Sequence, residues 1–227
     1  MLLSRRDMLR TAGAAGAVMY LPGAAAAAQN PRLFELYRGN SKIGEQTLTV
    51  TRNGGDLQVA VDIDISVRIL GLPAYRYQLE SREVWSQGRL QRLDARCNDN
   101  GKDERVSALS HRGGVEVDGT GYRGIIEGTP ATTTYWSQAF LERPVWISTQ
   151  NGQPFRVSCS AAGPVRVPAP EGQIKATRWQ VRGDIGRLDL FYDDAGEWVG
   201  NEFEAKGQEA RFVLAQRGRD FAKLWRA

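Results

Sequence analysis

The stretch LQVAVDIDISVRIL, residues 57–70, constrains the fold more than any other part of the chain. Val59, Val61, Ile63, Ile65, Val67 and Ile69 recur at every second position, with Gln58, Ala60, Asp62, Asp64, Ser66 and Arg68 between them. Successive side chains of a β-strand point to opposite faces, so this pattern is a strand with one dry face and one wet face. Six β-branched residues also disfavour a helix, because their side chains crowd the preceding turn. A sheet dry on one side must bury that side, which commits the chain to a layered or curled β-fold.

The rhythm repeats. Strands are predicted over 32–38, 43–51, 56–70, 74–86, 89–98 and 103–111, with shorter ones in GVEVDG and GYRGIIEG. Six more follow over 153–160, 163–169, 174–183, 187–194, 197–207 and 209–218. RNGGD, DNG at 99–101 and DDAG at 193–196 separate some of them, and Asn, Asp and Gly tolerate the positive φ of tight hairpins. Hairpins between consecutive strands make an antiparallel meander, and a meander this long hides its edges by curling. The expected fold is all-β, an open or flattened β-barrel-like shell.

One segment breaks the pattern. TPATTTYWSQAFLERPVW, residues 129–146, predicts a short helix near 134–142, capped by Thr134 and stopped by Pro144. As the one long excursion, it is expected to cross the opening as a lid or plug. The tail RDFAKLWRA predicts a final helical turn.

The front of the chain reads as an address. S-R-R-D-M-L-R at 4–10, with Arg5 and Arg6 adjacent, is similar to a twin-arginine export signal. The apolar run from Thr11 to Leu21 is too short for a bilayer core of about 30 Å, and Ala26–Ala28 meets the small-residue rule for cleavage. Residues 1–28 are therefore expected to be a signal peptide, and 29–227 a single periplasmic domain without a transmembrane anchor. The twin-arginine export machinery is the one partner the sequence implies.

Composition mostly excludes. The formal net charge is +4, of which the leader's three Arg and one Asp carry half. The remaining charges are interspersed, so nothing points to nucleic acid. His111 is the sole histidine and sits beside a turn, which excludes a His-rich metal site or a haem attachment. NDNGKDE at 98–104 and YDDAGE at 192–197 lack the ligand spacing of a calcium loop and read as turns. Asp62 and Asp64 lie on the wet face of their strand and read as solvated. With no P-loop or dinucleotide fingerprint either, no cofactor and no metal is expected. Cys97 and Cys159 are the only cysteines. They are a candidate disulfide in an oxidising compartment, worth about 4 kcal/mol if closed, and two separate buried thiols are the equal alternative.

Several stretches together carry a family resemblance. They are YRGNSKIGEQ, the run from Glu83 to Leu90 (EVWSQGRL), ARCNDNG at 95–101, TTTYW around Trp136, Asn151-Gly152, ATRW at 176–179 and FYDDAGEWVG at 191–200. The chain resembles, over roughly 32–215, the exported bacterial family catalogued as domain of unknown function 6134. The resemblance implies a fold and a compartment, and marks no residue as catalytic.

Candidate ligand-binding residues come from strand phase. Tyr75, Tyr77, Leu79, Ser81, Glu83 and Trp85 share the apolar phase of 74–86, so Glu83 is expected to point inward. On 174–181, Arg178 shares a phase with Ile174 and Ala176 and is the candidate inward cation. A buried carboxylate needs partners, so Glu83 and Arg178 are expected to meet inside the barrel or at its mouth. With Trp136, Tyr192 and Trp198 they would line a cavity for a small lipophilic or envelope-derived molecule. The alternatives are an envelope lipid- or glycan-modifying enzyme using Glu83 as acid or base, and an interaction protein whose aromatics fill a packed core.

Overall fold

The computed structural model describes residues 31–69, 72–205 and 207–218. The leader with Arg5 and Arg6, its cleavage position and the tail from Arg219 lie outside them. The chain enters β1 (Arg32–Arg38), β2 (Ser41–Asn53), β3 (Asp56–Ile69), β4 (Leu72–Ser86), β5 (Arg89–Asp99), β6 (Lys102–His111), β7 (Gly114–Gly119) and β8 (Arg123–Glu127). After the excursion, with β9 (Ala131–Thr132), a 3-10 helix (Gln138–Glu142) and β10 (Val145–Ile147), come β11 (Pro154–Ala169) and β12 (Gly172–Gly183). The last are β13 (Leu188–Asp193), β14 (Trp198–Ala205) and β15 (Gln208–Gln216). The fifteen strands of the described residues join one sheet, in the order β8-β7-β6-β5-β4-β3-β2-β1-β15-β14-β13-β12-β11-β10-β9. Every pairing is antiparallel except β9 with β10. The expected all-β, barrel-like meander is thus the fold, built as two meanders joined where β1 pairs β15.

The alternation in 57–70 does what its period demands. Leu57, Val59, Val61 and Val67 are buried, and burying each such side chain contributes about 1.5–3 kcal/mol. β4 follows in register, with Val59 opposite Glu83 and Ile65 opposite Tyr77. The β5–β6 turn has φ +53° at Asn100 and +91° at Gly101, the two positive values that a primed hairpin turn needs. Irregularities sit where the alternation slips. Trp85 faces Leu90 while Glu83 faces Leu93, so the extra residue lets two leucines three apart both point inward. The segments 153–160 and 163–169 form one strand, β11, bent at a bulge between Ala161 and Gly163.

The two ends of the sheet meet without a continuous ladder. Gly121 N donates to Asn151 O at 2.8 Å, tying the β7–β8 turn to the loop after β10. The excursion runs through the interior as a plug, with Thr132, Thr134, Trp136, Phe140, Trp146 and Ile147 buried. Its helix is a single 3-10 segment, and Ser137, not Thr134, is the cap, accepting from Ala139 N at 3.3 Å. Trp85 packs on Phe140 at 4.8 Å between centroids and edge-on to Trp136 at 6.1 Å. No helix among the described residues is long and apolar enough to cross a membrane.

Candidate functional site

The plug divides the interior. On one side of it the barrel is solid; on the other a cavity of about 670 Å³ opens to the surface. Its walls are apolar, with Ile63 and Ile65 from β3, Tyr77 from β4, Phe155 from β11, and Phe203 and Phe212 from β14 and β15. Strand registers order these residues by depth. Arg38, Ala210, Phe203 and Leu188 form one row across β1, β15, β14 and β13. Leu36, Phe212, Asn201 and Leu190 form the row two residues along, about 7 Å deeper at 3.3–3.4 Å per residue. Leu188 lines the cavity, whereas the fully buried Leu190 does not, so the second row is the cavity floor.

The charged lining residues are Arg38, Arg187 and Glu204, and all lie at the mouth row or beside it. The floor is polar but neutral: Gln46, Ser148, Thr149 and Asn201 are all at least nine-tenths buried. The Oδ1 of Asn201, a residue 1% exposed, has no hydrogen-bond partner among the described residues. Tyr135 projects into the same cavity from the plug with φ +56°, a rare conformation for a bulky residue. Its carbonyl accepts the Tyr192 hydroxyl at 2.7 Å, and its ring lies 5.7 Å from Trp146 and 6.2 Å from Trp198.

The residues singled out by strand phase divide into three groups. Tyr75 and Tyr77 line the cavity; burial raises both phenols, and a hydrogen bond to Asp99 adds to the shift at Tyr75. Glu83, Trp85 and Trp136 lie in the solid half. Glu83 accepts from Trp85 Nε1 at 2.7 Å, Trp136 Nε1 at 3.3 Å and Thr134 Oγ1 at 3.1 Å. Burial raises its pKa above the ordinary 4.5, and these donors only partly counter it. Tyr192 and Trp198 are core residues that form a layer under Tyr135.

Arg178 stands apart, and the expected contact with Glu83 is not made. Ala176 and Val181, an odd number of positions apart, are both buried, so the alternation slips and Arg178 falls on the outer face. There its Nε donates to Asp189 at 3.0 Å, its Nη2 also bonds Asp189, and Glu202 lies 3.7 Å away. The cations drawn to Asp189 are Arg178 and Arg182, whereas Glu83 is met by neutral indoles and hydroxyls. The buried charge pair lies elsewhere: Arg32 Nη2 is 2.7 Å from Glu197 Oε2, and Arg32 also donates to the carbonyls of Trp198 and Arg217, each at 2.8 Å. Cys97, on β5, and Cys159, on β11, are free thiols, and burial pushes each up to about 11.

Phase alone missed Asn201, Gln46 and Tyr135. The first two did leave a signal. Gln46 shares a phase with Leu48 and Val50, and Asn201 with Val199 and Phe203, so each is a polar residue on an apolar stripe.

Three comparisons with known proteins frame these observations. A family model described as domain of unknown function (DUF6134) matches residues 34–215. A crystal structure of a beta-barrel-like protein of domain of unknown function DUF1849 from Brucella abortus aligns with a TM-score of 0.61 at 10% identity. The alignment covers 84% of this chain and 98% of that one, and at this identity the likeness is one of fold. The chain matches no curated protein.

Proposed function

Since the chain belongs to the DUF6134 family, a description that carries no activity, we propose from geometry that it binds or carries a small lipophilic or envelope-derived molecule. The observation that carries the reading is the cavity of about 670 Å³, inside the usual range for ligand pockets, with apolar walls and a few convergent polar groups. A core meant only for stability packs to crystal-like density and leaves few voids larger than a water. Glu83, its oxygens occupied by three donors, holds the plug in this reading and takes no part in chemistry.

The leader supports a periplasmic site of action, reached through the twin-arginine machinery with loss of residues 1–28. An Arg5→Lys, Arg6→Lys variant is expected to stay in the cytoplasm as the uncleaved precursor. Native mass spectrometry of protein purified from the periplasm tests the binding reading. The expected result is a small-molecule adduct that Ala210→Trp, which fills the mouth row, abolishes. Protein that carries no adduct and takes up no N-phenyl-1-naphthylamine, a neutral apolar dye, would overturn it.

A further inference from the structure

We propose that the cavity selects an apolar molecule bearing a neutral hydroxyl and takes it hydroxyl first, with the Tyr135 phenol and the Asn201 amide as the head-group site. The inference rests on the reading of the cavity as a binding site and adds the class of ligand and its orientation.

Both groups line the cavity, and a chain of contacts links the elements that carry them. Trp198, three positions before Asn201 on β14, stacks near both Tyr135 and Phe212, each at 6.2 Å, and Phe212 is the cross-strand partner of Asn201. Asn201 offers a buried acceptor with no donor, a costly state that natural cores avoid. Tyr135 offers the reverse. No hydrogen bond to its hydroxyl is made among the described residues, and burial alone pushes its pKa up, so the phenol stays protonated and can donate. A left-handed backbone at a bulky residue is strained, and such strain persists where surrounding structure enforces it. Here the Tyr192 hydroxyl holds the Tyr135 carbonyl, and the ring is braced on Trp146 and Trp198.

The ligand head must therefore donate to Asn201 and accept from Tyr135. A hydroxyl does both with one atom. A carboxylate cannot donate, and at the floor it would be desolvated with no cation beside it, since Arg38 and Arg187 sit at the mouth. An ammonium cannot accept. The chain of the ligand then runs outward from the floor row toward Val67 and Phe203.

The test is displacement of N-phenyl-1-naphthylamine from the purified protein by decan-1-ol, its isomeric methyl ether 1-methoxynonane, and sodium decanoate. The ether keeps the acceptor but lacks the donor. The alcohol is expected to bind about three- to tenfold tighter than the ether, the value of one hydrogen bond to a buried neutral acceptor, and decanoate is expected to bind weakest. Asn201→Leu should bring the alcohol-to-ether ratio to one. Tyr135→Phe should weaken alcohol and ether alike by about three- to tenfold. Equal binding of alcohol and ether to the native protein, decanoate binding tightest, or a ratio that survives Asn201→Leu would each overturn the inference. If either variant fails to fold by thermal melt, the ranking of the three compounds on the native protein decides alone. Failure of the dye itself to bind would overturn the binding reading rather than the choice of head group.

Discussion

Replacing Glu83 by Gln and, separately, by Leu tests how the plug is held. Oε2 of Glu83 accepts from two indoles and Oε1 from Thr134, whose hydroxyl also lies 2.8 Å from that of Thr132. Leu removes all three acceptor contacts. Thr134 can turn to Thr132, but two buried indole N–H groups lose the Glu83 acceptor, at about 1–3 kcal/mol each. Relief from burying a carboxylate offsets part of that, so the net loss is expected at about 2–4 kcal/mol. Gln can keep the network whole. Its carbonyl takes the place of Oε2, and its amide donates to Thr134, which passes its own proton on to Thr132. Its stability is expected within about 1 kcal/mol of the native protein near pH 4.

The pH dependence separates this account from simple packing. Glu83 has a folded pKa raised above its unfolded value, chiefly by burial. Between the two values the native state holds the proton that the unfolded state has lost. Stability present below the unfolded pKa is therefore lost as pH rises toward the folded one, at up to about 1.4 kcal/mol per pH unit. Gln has no proton to lose, so Glu83→Gln should match the native protein near pH 4 and gain on it as the pH rises. Urea unfolding followed by tryptophan fluorescence across pH 4–8 measures the difference, with other titrations cancelling. A Gln variant as unstable as the Leu variant, or one that gains on acidification, refutes the reasoning.

Three further outcomes follow from the packing. Arg32→Met alone should cost about 3–5 kcal/mol by taking the buried cation from Glu197, and adding Glu197→Leu should recover most of it in a double-mutant cycle; simple additivity would count against the buried pair. Thiol titration should count two thiols in denaturant without reductant, and almost none reacting at pH 8 in the folded protein, where Cys97 and Cys159 are held near 11; zero thiols in denaturant would mean they are bridged. Gly44→Ala places a Cβ 2.4 Å from the Asp64 carbonyl oxygen, which should lower the urea midpoint by the equivalent of about 1–3 kcal/mol, and an unchanged midpoint would show the strand yields freely.

Much of the fold was legible because one period governs most of the chain. Val59 to Val67 and Leu79 to Trp85 lie on the phases that alternation assigns them, since a register slip of one residue would turn every apolar side chain outward. What alternation cannot see is its own interruption. The slip around Arg178 and the extra residue on β5, Gln91 between Leu90 and Arg92, invert phase locally, so alternation points Arg178 inward although it belongs with Asp189. The helix begins later than the cap signal predicts, for a related reason. Thr134 looks like a cap, but its hydroxyl answers a carboxylate from a strand 51 positions earlier, a demand that no local pattern carries.

The candidate site turns on a finer distinction. Glu83, Gln46 and Asn201 leave the same mark in the sequence, a polar residue on an apolar stripe, yet one lies in solid core and two at a cavity floor. The stripe says that such a side chain points inward and needs partners; it does not say where the partners come from. The plug decides that. It brings Trp136 and Thr134 to Glu83, which closes that half of the barrel. To the other half it brings Tyr135, whose hydroxyl stays uncommitted among the described residues, while the Asn201 oxygen goes unmet there. A single internal segment thus satisfies one buried polar group and leaves another open. That asymmetry, more than the number of aromatics, is what the proposed binding site rests on.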